Sequence, residues 1–183
     1  MLFRSQRVAV GQGRNIRSLN VYNDPDDIIR RLPLTFTVDG EPMPSMAAEL
    51  AARAAGAPPS EKVATAGAVP NTMTLNFAGG ADDVPTYSLV DLRACVEKDD
   101  KDFFRRHFAG KVVLIGTLLD IEDRKITTKR FATAVEGARA ERCALPAPAG
   151  GERFARDSIA GVYIHATAVK DRKSTRLNSS HRT

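Results

Sequence analysis

Tryptophan is absent from this chain, and aromatic residues make up only 6% of its 183 positions. Its core must therefore be mostly Val, Ile, Leu and Ala. Long apolar runs are missing too: none approaches the ~20 residues of a membrane span. The opening Met1-Leu2-Phe3-Arg4-Ser5-Gln6-Arg7 lacks the apolar stretch of a signal peptide. Work outside the cytoplasm would thus need a segment that this chain does not carry. Cysteine is scarce, with only Cys95 and Cys143. They form no C-x-x-C and lie far in sequence from the histidines, which argues against a zinc site. Two buried or half-buried free thiols are expected, and spacing alone leaves open whether they pair in an oxidising compartment. A distributed charge of one sign is also lacking. The formal +5 comes from 27 basic and 22 acidic residues. The last fourteen positions hold five of those bases and one of the acids, leaving 22 against 21 elsewhere. A nucleic-acid partner, which needs a basic face on the folded domain, is therefore not expected.

What is present is an ordinary globular composition, 43% apolar and 27% charged, long enough for one domain with a real core. The organising stretch is Lys111-Val112-Val113-Leu114-Ile115-Gly116. A run that is apolar at every position reads as a strand buried on both sides. With helices before it, it predicts an α/β fold: a mixed sheet with a buried central strand and helices packed on it, incomplete at the C-terminus.

Along the chain, Arg7–Val10 reads as a short strand. Gly11-Gln12-Gly13 reads as a turn, since Ile16 stands where a dinucleotide fingerprint needs glycine. Ile16–Val38 reads as a hairpin, with strands over Ser18–Tyr22 and Ile28–Val38 around the acidic turn Asn23-Asp24-Pro25-Asp26-Asp27. That turn is acceptor-rich but lacks the glycine and terminal glutamate of an EF-hand, which favours a solvated turn over a Ca²⁺ loop. Asp39-Gly40 signals another turn. Ser45 caps a predicted helix over Met46–Ala55, stopped by Gly56, with Met46, Leu50 and Ala54 facing inward. Met73–Phe77 alternates as a strand does. Ser88 and Asp91 predict a capping-box-like helix start, and Phe103, Phe104 and Phe108 give a second helix an apolar stripe. Thr117–Asp157 contains no clear element and opens on the mixed-charge loop from Asp120 to Arg130, a length expected of a functional or disordered loop.

The order of several motifs resembles the CHASE2 domain. These are Leu19-Asn20-Val21, Asp27–Leu34, Pro44-Ser45-Met46-Ala47, Leu75-Asn76-Phe77, Phe108–Gly116 and Gly161-Val162-Tyr163-Ile164-His165-Ala166. Together they cover roughly residues 15–169. The resemblance implies a non-catalytic extracytoplasmic sensory module of a bacterial membrane receptor. It also implies membrane helices outside this chain and a cytoplasmic output, commonly an adenylate/guanylate cyclase, a histidine kinase or a Ser/Thr kinase. It departs from the family in the long insertion before Gly161. Residues 1–169 are thus expected to form a partial sensory domain. Residues 170–183 resemble translated sequencing-adapter read-through and are expected to be a non-native, disordered tail.

No cofactor is expected, and no G-x-S-x-G elbow accompanies Ser88 or Ser158 to support a soluble α/β hydrolase-like enzyme. Open α/β sheets bind ligands beyond the carboxyl ends of their strands. That places an expected sensory pocket at Thr117, Asp120, Asp123, Arg124 and His165, with Arg30 and Arg31 either contributing or only decorating the hairpin. Its ligand would be a small polar or anionic periplasmic signal, sensed by a receptor that is a homodimer at full length.

Overall fold

Local chemistry sets the first elements in place. A computed structural model of the chain describes residues 16–56, 69–77, 84–118, 123–132, 142–143 and 155–179. The side chains of 129–132, 155–157 and 172–179 are not described. The chain divides into two units. One takes Met1–Tyr22, Arg31–Leu75 and Ala168–Thr183, and the other takes Asn23–Arg30 and Asn76–Thr167.

In the first unit, β2 (Arg31–Pro33) pairs antiparallel with β5 (Thr72–Thr74). A hairpin joins β3 (Thr35–Val38) to β4 (Glu41–Pro44). Its two-residue turn is Asp39-Gly40, with φ 52° and 84°, the left-handed pair that matches strand twist in tight hairpins. Pro42 and Pro44 make β4 an edge strand, since neither donates to a ladder. Asn71 pins β3 to the start of β5. Its side-chain oxygen accepts from the Thr35 amide (3.0 Å) and hydroxyl (2.8 Å), and its amide donates to the Thr35 carbonyl (2.9 Å). Helix α1 (Met46–Ala54) starts at Ser45, whose hydroxyl accepts from the Ala48 amide at 3.3 Å, and stops before Gly56 (φ 63°). The predicted inward face is wrong by one position: Ala47, Ala48, Ala51 and Ala52 are buried, while Met46 and Leu50 are half-buried and Ala54 is exposed. Four alanines on one face let the backbone approach its neighbours closely with no loss of rotamer freedom. Leu32, Leu34, Met73 and Leu75 complete this core.

In the second unit, β1 (Ile28–Ile29) runs parallel to β6 (Arg124–Ala132), and β7 (Ala155–Ala160) runs antiparallel to β6. This is a mixed sheet in the order β1-β6-β7, and with the helices it is the expected α/β class. Helices α2 (Leu89–Glu97) and α3 (Lys101–Phe108) follow each other directly. Helix α4 (Gly161–Ser179) continues from β7, with Gly161–Thr167 in this unit and the remainder in the first. It runs through Ser179, so ten residues of the expected tail have helical backbone. The core here is Ile29, Phe77, Cys95, Phe103, Ile159 and Ile164. The phenylalanine stripe of α3 is as expected, with Phe103 and Phe104 in an edge-to-face pair at 5.8 Å and Tyr87 packed on Phe108 at 4.9 Å.

Three expectations fail. Lys111–Gly116 forms no regular element and joins no ladder among the described residues, and Val113 (53%) and Ile115 (81%) are exposed. The central strand is instead β6, the stretch read as a charged loop. One face of this sheet is buried, at Ile29, Thr127 and Ile159, and the other is open at Ile126, so polar residues are tolerated at its centre. The Ile16–Val38 hairpin does not form: Ser18–Tyr22 joins no strand, and the Ile28–Val38 stretch breaks into β1, β2 and β3. The Ser88 hydroxyl makes no cap bond, and Asp91 is buried elsewhere. The Arg7–Val10 strand and the Gly11–Gly13 turn lie outside the described residues.

Two serines therefore give a direct contrast. Ser45→Ala should cost about 1 kcal/mol, the usual worth of a cap, whereas Ser88→Ala should fall within about 0.5 kcal/mol of wild type. Urea unfolding followed by circular dichroism measures both.

Candidate functional site

The acidic turn forms, but its carboxylates are occupied. The Asp24 carbonyl accepts from the Asp27 amide at 2.9 Å, and Asp27 takes the left-handed conformation (φ 59°). Arg30 reaches back across the turn. It bonds Asp24 at 2.9 Å and both oxygens of Asp26, at 2.8 and 2.6 Å. The hydrogen bonds from Arg30 hold the Asp26 carboxyl down at about 2, against an ordinary 3.8. The same contacts raise the guanidinium of Arg30. An arginine engaged this way closes a turn and is not offered to a ligand. Arg31 belongs to β2 in the other unit.

Of the other named residues, Asp123 and Arg124 lie at the corner where β7 becomes α4. Arg124 opens β6 opposite Ala160, and Ile126 lies opposite Ser158. Arg124 and Ser158 thus share a sheet face one step apart along the ladder, within reach of a long side chain. Arg124 Nε donates to Ser158 Oγ at 3.3 Å, and Nη2 donates to the Ser158 carbonyl at 2.5 Å. Among the described residues no carboxylate pairs with Arg124, so its charge is held by neutral acceptors. Asp123 sits just before it at φ 42°, and its carbonyl accepts the Gly161 amide at 2.9 Å, satisfying one orphan donor of α4. The Asp123 carboxylate stands where a Cβ on residue 161 would be. A carboxylate over the first turn of a helix is favoured by the helix dipole. Lys125 lies 3.8 Å from it.

Two further residues come to this corner less directly. Thr117 is exposed, but its neighbour Gly116 is pressed against Val162 in the first turn of α4, where a Cβ would come within 2.8 Å of the Val162 Cβ. His165, one turn further along α4, is buried. Asp120 lies outside the described residues. The structure therefore groups Asp123, Arg124 and the first turns of α4, and brings the chain beside Thr117 to the same helix. Sequence reading missed Ser158 as the partner of Arg124 and Gly161 as the point of close approach. The glycine beginning Gly161-Val162-Tyr163 was its available signal.

A second cluster lies at the α2–α3 junction. Cys95 and Cys143 form a disulfide with their Cα atoms 5.6 Å apart, which overturns the expectation of free thiols. The pair is 48 residues apart in sequence, beyond any local spacing rule. Asp91 is buried because it accepts the Cys143 amide at 3.1 Å, which explains the capping box that does not form. Asp100 caps α3 through Oδ1, which accepts the Phe103 amide at 2.9 Å, and its Oδ2 lies 3.9 Å from Cys143 Sγ. His107 is bonded to the Tyr87 hydroxyl at 3.0 Å.

Compared with known protein families, the chain is matched by the model of the CHASE2 domain over residues 3–180, nearly its whole length. Domains of this family are extracytoplasmic, sensory and non-catalytic. No curated protein and no solved structure matches the chain. No helix among the described residues is long and apolar enough to cross a membrane.

Two outcomes follow from this geometry. The depressed Asp26 carboxyl contributes stability that is fully present above its unfolded value near 3.8 and is lost as pH falls through about 2. Arg30→Ala should return the Asp26 titration, read by NMR, toward 3.8 and remove that part of the acid dependence. Gly116→Ala should destabilise the chain by about 1–3 kcal/mol, the usual cost of overpacking against a fixed β-branched neighbour. Thermal unfolding measures it.

Proposed function

The chain belongs to the CHASE2 domain family, and we propose that it is the signal-sensing part of a bacterial membrane receptor. It passes a ligand-driven change of shape through membrane helices to a cytoplasmic output of the cyclase or kinase class. The observation that carries this reading is the Cys95–Cys143 disulfide. Such a bond persists in oxidising compartments and is rare in the cytosol, which supports a place on the periplasmic side of the cell membrane. Closing a loop of this length stabilises a domain by about 4 kcal/mol on the loop-entropy account.

The signal site in this reading is the corner of β6, β7 and α4. The half-buried Arg124 guanidinium, bonded to Ser158 and without a carboxylate partner among the described residues, favours a small polar or anionic ligand. Asp123, at the start of α4, supplies an acceptor. Thr117, Asp120 and His165 complete the set. The domain turns nothing over itself, takes no nucleic acid, and works in a homodimeric receptor.

In a full-length receptor, Arg124→Ala or Asp123→Ala should shift the response of the output activity by roughly tenfold or more, as expected when a charged hydrogen bond to a ligand is lost. The basal output should stay unchanged. Response curves that overlay wild type for both variants would sink the proposed site.

A further inference from the structure

We propose that Cys95, Cys143 and Asp100 form a redox-gated site for a thiophilic divalent cation of the zinc class, closed while the disulfide is intact and opened by its reduction. The three side chains place one ligand atom each within 4.8 Å of one another. The site does not depend on the sensory reading of the corner at α4.

The cluster is built by local structure on both sides. Helix α2 ends at Glu97, and Lys98 and Asp100 both donate their amides to the Cys95 carbonyl, at 3.2 and 3.3 Å. Asp99 takes the left-handed conformation (φ 54°) between them. This tight reversal brings Asp100, five positions on, back beside Cys95. The Phe103 amide then fixes Asp100 Oδ1 and leaves Oδ2 facing Cys143 Sγ. A carboxylate with one oxygen held by the backbone and the other facing a cysteine sulfur is an oriented ligand, of the kind whose support strengthens metal sites. On the other side, the Asp91 carboxylate holds the Cys143 backbone amide. Cys143 therefore keeps a second tether when the sulfur–sulfur bond opens.

Access differs between the two sulfurs: Cys95 is fully buried and Cys143 is half-buried. A dithiol reductant would attack Cys143 Sγ, releasing Cys95 as thiolate, and its second thiol would then close on the first. The disulfide gains two electrons and two protons, and the reductant becomes a cyclic disulfide. Two thiolates beside a carboxylate repel one another, and a divalent cation offsets that repulsion. It takes two thiolates and the Asp100 oxygen, releases two protons and leaves a fourth tetrahedral position for water. Sequence reading argues against a metal here because the two cysteines form no C-x-x-C and lie far from the histidines; the third donor is Asp100, brought in by the fold.

Cobalt(II) is a suitable probe because thiolate ligation gives it an intense charge-transfer absorption. The full chain, reduced with a dithiol and freed of it under anaerobic conditions, should bind one equivalent of Co²⁺ with that absorption and exchange it for Zn²⁺. The oxidised chain should show no such band. Asp100→Ala should keep the band but bind roughly tenfold or more weakly, and Cys95→Ser with Cys143→Ser should abolish it. A reduced chain without the band overturns the proposal. So does an Asp100→Ala affinity equal to wild type, which is also what a reduced chain that unfolds and binds through its thiols alone would give.

Discussion

The covalent bond between Cys95 and Cys143 ties together two points of the second unit that lie 48 residues apart in the chain. The loop it closes contains α3, the Lys111–Leu118 stretch and β6. A chain without tryptophan has few large side chains to bury, and a cross-link that restricts the unfolded state compensates for a modest core. Two carboxylates organise it. Asp91 leaves its expected capping role to hold the Cys143 amide, and Asp100 caps α3 while facing the Cys143 sulfur. Both acids look like ordinary helix-start residues until residue 143 comes to meet them.

The second constraint is steric. At the corner where β7 passes into α4, two glycines admit atoms that a side chain would exclude. Gly161 makes room for the Asp123 carboxylate and Gly116 for Val162. The hydrogen bond from the Gly161 amide to the Asp123 carbonyl then joins the start of β6 to the start of the helix. Through these close approaches, residues from three separate stretches reach one end of α4. Arg124 is held there by Ser158 across the ladder and has no carboxylate partner among the described residues.

The Lys111–Gly116 stretch and β6 show where pattern reading succeeds and where it fails. Apolar character is a property of a residue, but being a central strand is a property of its neighbours. The apolar run has no ladder partner among the described residues and leaves Val113 and Ile115 exposed. β6, rich in Arg, Lys and Thr, has a partner on each side. Polar residues fit at its centre because only one face of the sheet is buried. Arg30 is a similar case. Its place after an acidic turn was visible in sequence, yet only the folded turn shows its guanidinium closed on Asp24 and Asp26.

The sequence by itself determined what depends on near neighbours. The Ser45 cap, the Asp39-Gly40 hairpin turn, the aromatic stripe of α3, the mixed α/β character and the family were all legible, because caps, turns and periodicities act over a few residues. Tertiary structure alone decided the disulfide, the identity of the central strand, the alanine face of α1 and the partner of Arg124. Each of these joins residues far apart in the chain, or turns on which of several equally apolar faces finds a surface to cover it. The free energy that settles them resides in contacts that exist only after the chain has folded.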